Sequence, residues 1–143
     1  MSIVDLSSNL APENSVDAVV TFRNLHNWIG PQMDTIFENS YKALKPGGIF
    51  GVVEHRANPG TSLDDMKRSG YVTESYAIAI AEKHGFILIE KSEINANPKD
   101  LKNYERGVWT LPPSLRLKDK HKEKYLEIGE SDRMTLLFKK PID

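Results

Sequence analysis

Val16-Asp17-Ala18-Val19-Val20-Thr21-Phe22 and Ile49-Phe50-Gly51-Val52-Val53-Glu54 are the two stretches on which the fold of this chain turns. Both are short, apolar and rich in β-branched residues. Strands covered by helices on both faces have this character, so each is expected to be a buried strand of a parallel sheet. The turn-forming run Ala11-Pro12-Glu13-Asn14-Ser15 precedes the first. Between the two strands, Gly30-Pro31 opens a helix, since proline is favoured at a first helical position. Met33, Ile36, Phe37, Tyr41 and Leu44 then recur at helical spacing on one face, and Pro46-Gly47-Gly48 ends the helix. Strand, helix, strand over this distance is a βαβ unit with a right-handed crossover.

Outward from that unit the pattern changes. Residues 58–70 are polar and broken by Pro59, Gly60 and Gly70, and are expected to form a mobile loop. Thr73 is a candidate N-cap for a helix over residues 74–84, closed by Gly85. Residues 86–94 alternate apolar and polar as a half-buried strand does. A charged segment over 118–128 predicts a short helix, and 134–140 a last strand. Two late strands joined by a long connection fit an antiparallel hairpin on one side of a parallel sheet, giving an α/β class overall.

The 143 residues are 39% hydrophobic and 27% charged, with a net charge of −1. Such a chain is large enough for one domain with its own core, over residues 1–143. No apolar run approaches the roughly 18 residues of a membrane span, and near neutrality gives no electrostatic hold on nucleic acid, so neither partner is expected. Cysteine is absent, which excludes a disulfide scaffold, a thiolate zinc site and a cysteine nucleophile. Nothing at the start reads as a signal peptide, and a cytoplasmic setting is the expectation.

Four motifs carry a family resemblance: Ser15-Val16-Asp17-Ala18-Val19-Val20, Arg23-Asn24-Leu25-His26-Asn27-Trp28, Ala43-Leu44-Lys45-Pro46-Gly47-Gly48 and Gly51-Val52-Val53-Glu54-His55. In this order and spacing they resemble the C-terminal portion of a class I S-adenosylmethionine-dependent methyltransferase. The segments 92–98, 108–113 and 132–135 are similar to a little-characterised group of predicted methyltransferases within that family. The resemblance implies a partial Rossmann-like sheet lacking the N-terminal strands, S-adenosylmethionine as cofactor, and an unknown small molecule as methyl acceptor. It also implies a difficulty. The family holds its cofactor on a glycine-rich turn and an acidic residue closing its second strand, and these 143 residues show no Gly-x-Gly-x-x-Gly pattern. The chain is therefore expected to be a truncated form, inactive by itself. Asp5, twelve residues before Asp17, has a spacing similar to that of the family's adenine-contacting acid.

In an open parallel sheet ligands sit beyond the carboxyl ends of the strands. That rule selects Arg23, Asn24, His26 and Trp28 after the first strand, and Glu54, His55 and Arg56 after the second. His26, Glu54 and His55 are the candidate acid–base groups. Arg23 and Asn24, with Asp5, are candidates for the cofactor; Arg23 or Arg56 could clamp a carboxylate. Trp28, Arg56 and Trp109 are candidates for the substrate wall. No His-x-x-x-His spacing exists, and no metal is expected.

An edge strand over residues 16–22 would carry apolar residues with no proline or inward lysine to blunt it. Association into at least a dimer through that edge is expected, unless residues 95–131 fold back over it. Two other readings stand beside a methyltransferase: a non-catalytic oligomeric binding module derived from the same fold, and an enzyme using the His26, Glu54 and His55 rim for acid–base work without the cofactor.

Overall fold

A computed structural model describes residues 3–143. Strand β1 (Val16–Phe22) leads through the short helix α1 (Leu25–Trp28) and helix α2 (Pro31–Ala43) into strand β2 (Leu44–His55). Helices α3 (Leu63–Ser69) and α4 (Glu74–Lys83) precede strand β3 (Ile87–Ser92). A long segment containing a 3-10 turn (Gly107–Thr110) and helix α5 (Lys122–Ile128) then returns the chain to strand β4 (Arg133–Lys139). The sheet order is β1-β2-β4-β3. β1 and β2 run parallel, and β4 is antiparallel to both of its neighbours, β2 and β3. The α/β class, the parallel βαβ unit and the antiparallel tail are thus as the sequence predicts.

One face of the sheet is a packed core. Phe50, Val52, Met134, Leu136 and Phe138 point into it and meet Met33 and Phe37 of α2 and Ala77 and Ala81 of α4. Five large side chains stand exposed on the strands: Val20, Phe22, Ile49, Ile87 and Ile89. The expectation that β1 is buried on both faces is therefore corrected, because the second face of the sheet is uncovered and Val20 and Phe22 are 58% and 56% exposed, whereas its place at the edge of the sheet is as expected. β3, expected to be half-buried, is mostly exposed for the same reason. Residues 95–131 pack over the strand ends, where Trp109, Pro112 and Pro113 face Phe22, and leave the edge open.

Two local differences have clear causes. β2 begins at Leu44, not at Ile49, because Leu44 pairs with Val16 and Pro46-Gly47-Gly48 becomes an irregularity within the strand. The buried Lys140 ammonium holds that corner, donating to the carbonyls of Tyr41 and Leu44 at 2.8 Å. Within the expected loop over 58–70, residues 63–69 are helical. Ser62 Oγ accepts the Asp65 N–H, and Gly70 ends the helix in the left-handed conformation, φ 79°. The Ser62-x-x-Asp65 pair was the available signal. The N-cap at Thr73 is as expected, accepting the Tyr76 N–H. No helix among the described residues is long and apolar enough to cross a membrane.

Candidate functional site

The carboxyl ends of β1 and β2 lie side by side, and the chain leaves each of them through residues of the site. Arg23, just past β1, has φ +58°, a conformation that costs a side chain roughly 1–2 kcal/mol. Its N–H donates to the Val53 carbonyl, tying the turn to β2. The turn aims α1 back over the sheet, where Leu25 is fully buried, and so brings His26 to the end of β2.

Glu54 ends that approach. Its side chain is 0% exposed, yet it is well served: Oε2 accepts the His26 N–H at 2.8 Å, and Oε1 accepts the His55 N–H at 2.8 Å. His26 Nδ1 lies 3.0 Å from Oε2 and 3.1 Å from Oε1. A carboxylate can only accept, so Nδ1 carries the proton and Nε2 is left as the free position of the ring. A buried carboxylate with its donors in place holds the imidazole in one tautomer and orientation, the arrangement found where a histidine works as a base.

His55 is different. Its Nδ1 pairs with Ser131 Oγ, and its ring stacks obliquely on His26 with centroids 5.5 Å apart and edge-on to Tyr71. Burial, reinforced by the neighbouring His26, Arg133 and Arg23, which disfavour a second positive charge, pushes its pKa down to about 3, so it is neutral at pH 7. It is thus a wall and hydrogen-bonding group, not a charged one.

These residues face a cleft of about 330 Å³ whose lining includes Arg23, Asn24, His26, His55, Trp109 and Arg133. Trp109 stands edge-on to His26 at 5.8 Å. Its placement depends on Gly107, where an added Cβ would lie 2.4 Å from the Ser69 carbonyl oxygen at φ +58°. The structure therefore brings together six of the nine residues singled out: Arg23, Asn24, His26, Glu54, His55 and Trp109. Three lie elsewhere. Arg56 turns away from the cleft and meets Asp132, Glu74 and Glu93 at 3.0, 3.0 and 2.7 Å. Burial raises the Asp132 carboxyl and the bonds from Arg56 and Lys102 outweigh it, leaving a pKa of about 2. Arg56 is thereby a cross-link between β2, α4 and the segment after β3. Asp5 is exposed and bonds Ser7 at 2.8 and 2.7 Å. Trp28 packs against the core and lines a separate apolar groove with Leu6, Leu10 and Val19.

Ser131 and Arg133 belong to the cleft and were not singled out as site residues. They reach it because β4 runs antiparallel to β2 with Arg133 opposite His55. Donor atoms of His26, Glu54 and His55 lie within 4.8 Å of one another, close enough to hold an ion. Both Glu54 oxygens are, however, already engaged by N–H groups, and two arginines line the same cleft. The chemistry of the cluster suits a histidine–carboxylate couple.

Residues 3–52 match a family model described as a methyltransferase domain. The chain is similar to the sterol 24-C-methyltransferase erg-4 of Neurospora crassa, with 26% identity over 138 residues, covering 87% of this chain and 34% of that protein. Its fold is similar to that of the cyclase SpnF, with a TM-score of 0.65, 18% identity, and coverage of 99% of this chain and 57% of SpnF. Phosphoethanolamine N-methyltransferase 2 of Haemonchus contortus superposes with a TM-score of 0.58 at 21% identity, over 96% of this chain and 36% of that one. The chain thus spans about a third of the curated relative it matches and little more than half of SpnF.

Proposed function

We propose that this chain, whose fold is that of the class I S-adenosylmethionine-dependent methyltransferases over part of their length, serves methyl transfer to a small molecule seated in the cleft beyond β1 and β2. The observation that carries the reading is the couple of buried Glu54 and His26, with Nε2 left free. The bound cofactor would supply an activated methyl group on a sulfonium, so that attack by an oxygen or nitrogen forms the new bond to carbon as the carbon–sulfur bond breaks. What remains for the protein is alignment and removal of one proton. His26 Nε2 takes that proton and Glu54, as positioning residue, stabilises the imidazolium that results. Arg23 and Asn24, at the strand end, fit the charged amino-acid end of the cofactor, and Trp109 forms a wall.

The reading includes weak cofactor capture by these 143 residues alone, in a cytoplasmic setting. Calorimetric titration with S-adenosylmethionine and its demethylated product tests it. No saturation in the micromolar range is expected, and tight binding would overturn the claim. In an assembly that does turn over, His26→Ala is expected to abolish methyl transfer. An unchanged rate and pH profile would remove His26 as the base.

The exposed Val20, Phe22 and Ile49 favour a second reading, an oligomeric binding module joined through the edge of β1. Size-exclusion chromatography with light scattering separates the two: an oligomer without cofactor response supports the module, and a clean monomer at low micromolar concentration removes it.

A further inference from the structure

The charge of the cleft is lopsided. Its lining residues include Arg23, Arg133, His26 and His55, and none of them bears a carboxylate. Glu54 is sealed behind the histidines at 0% exposure, with its oxygens turned to N–H donors. The neutral His55 reports the same field, since the charges of Arg133 and Arg23 add to burial in keeping it unprotonated. From these observations we infer that the acceptor taken by this cleft carries an oxyanion, a carboxylate or a phosphate, held by Arg133 with Arg23 adding charge. The inference rests on the methyltransferase reading for the word acceptor, and on the cleft alone for the anion.

Arg133 is built for the task. Its side chain is 15% exposed and is braced from behind, with Nε donating to Ser131 Oγ at 3.2 Å, which in turn bonds His55 Nδ1. One terminal nitrogen donates to Glu130 at the rim, at 3.2 Å, so the guanidinium already pairs with a carboxylate on its solvent side. The remaining terminal nitrogen has no hydrogen-bond partner among the described residues. A planar guanidinium fixed by a second group presents its donors at low entropic cost, which favours two-point binding of an oxyanion. Arg23 makes no side-chain hydrogen bond or ion pair among the described residues, and it stands on a strained turn held by Val53. Such strain persists where surroundings over-determine it, as at ligand sites.

The test uses binding, not turnover, so its failure and that of the methyltransferase reading are separable. Inorganic phosphate, benzoate and the uncharged benzamide are titrated into the chain without cofactor, following tryptophan fluorescence and heat. At least one of the two anions is expected to bind and benzamide is not; the tighter of phosphate and benzoate identifies the anion source, and binding of neither would overturn the inference. Arg133→Gln is expected to weaken binding roughly tenfold or more, and Arg68→Gln, on the exposed face of α3, to leave it unchanged. If Arg133→Gln loses its far-ultraviolet dichroism, Arg133→Lys, which keeps the charge and loses the planar pair of donors, carries the test. Equal binding of benzamide, unchanged affinity in the folded arginine variant, binding abolished by a metal chelator, or one-for-one displacement by the demethylated cofactor would each overturn the inference.

Discussion

Replacing Glu54 by Gln keeps the shape of the side chain and removes the property on which the site depends. In the native protein one oxygen accepts the His26 N–H and Nδ1–H, and the other accepts the His55 N–H. An amide has one accepting oxygen. In its better orientation the amide oxygen keeps the two His26 bonds, now to a neutral acceptor, and the NH2 group faces the His55 N–H. One buried donor is then orphaned, at about 1–3 kcal/mol, and loss of charge assistance adds about 1 kcal/mol. The sum is about 2–4 kcal/mol, or roughly 5–15 °C in Tm for a domain near this size. Urea and thermal unfolding followed by circular dichroism measure it. Nitrogen-15 spectra of His26 provide the readout that a merely structural role would not move, because the flipped amide presents its NH2 to Nδ1 and populates the Nε2–H tautomer beside the Nδ1–H one, giving a mixture. A destabilisation below about 0.5 kcal/mol, the range of a neutral surface substitution, together with an unchanged tautomer, would refute the reasoning.

Acid should act through His55. In the folded chain it binds a proton only near pH 3, against about 6.5 in the unfolded chain, so the unfolded state takes up the proton first and stability falls with acidification. Its contribution is fully present above about pH 6.5. Between there and about pH 5 roughly 1.5–2 kcal/mol should be lost; denaturant melts of His55→Gln should lack that slope, and a native slope equal to the variant's would contradict the assignment. Gly107→Ala places a Cβ 2.4 Å from the Ser69 carbonyl oxygen at positive φ. A loss of about 2–4 kcal/mol, with increased tryptophan exposure, is expected in equilibrium unfolding, and an unperturbed melt would show that α3 and the 3-10 turn do not need this approach. Phe22→Lys puts a charge on the open edge of β1, where the native ring is 56% exposed. The proposed association through that edge predicts a shift toward monomer in light scattering; an oligomer unaltered by the substitution would place the association elsewhere, and a native monomer would remove the proposal.

The sequence by itself determined what is local. The bounds of β1, the entry to α2 at Gly30-Pro31 and the cap at Thr73 follow from dihedral preferences and side-chain periods that operate within a few residues. His26, Glu54 and His55 were legible because parallel strands put their carboxyl ends together whatever else the chain does. Helix α3 was not, because its seven residues bury just Met66 and Ser69 and show no apolar stripe. The partners of the histidines depended on pairing across the chain. Only the antiparallel register of β4, setting Arg133 opposite His55, brought Ser131 and Arg133 to the cleft. Only the meeting of Glu74, Glu93 and Asp132 drew Arg56 out of it. Charge–charge contacts between segments 18 to 76 residues apart leave no periodic trace in the sequence, so tertiary structure decided which arginine lines the cleft and which one cross-links the fold.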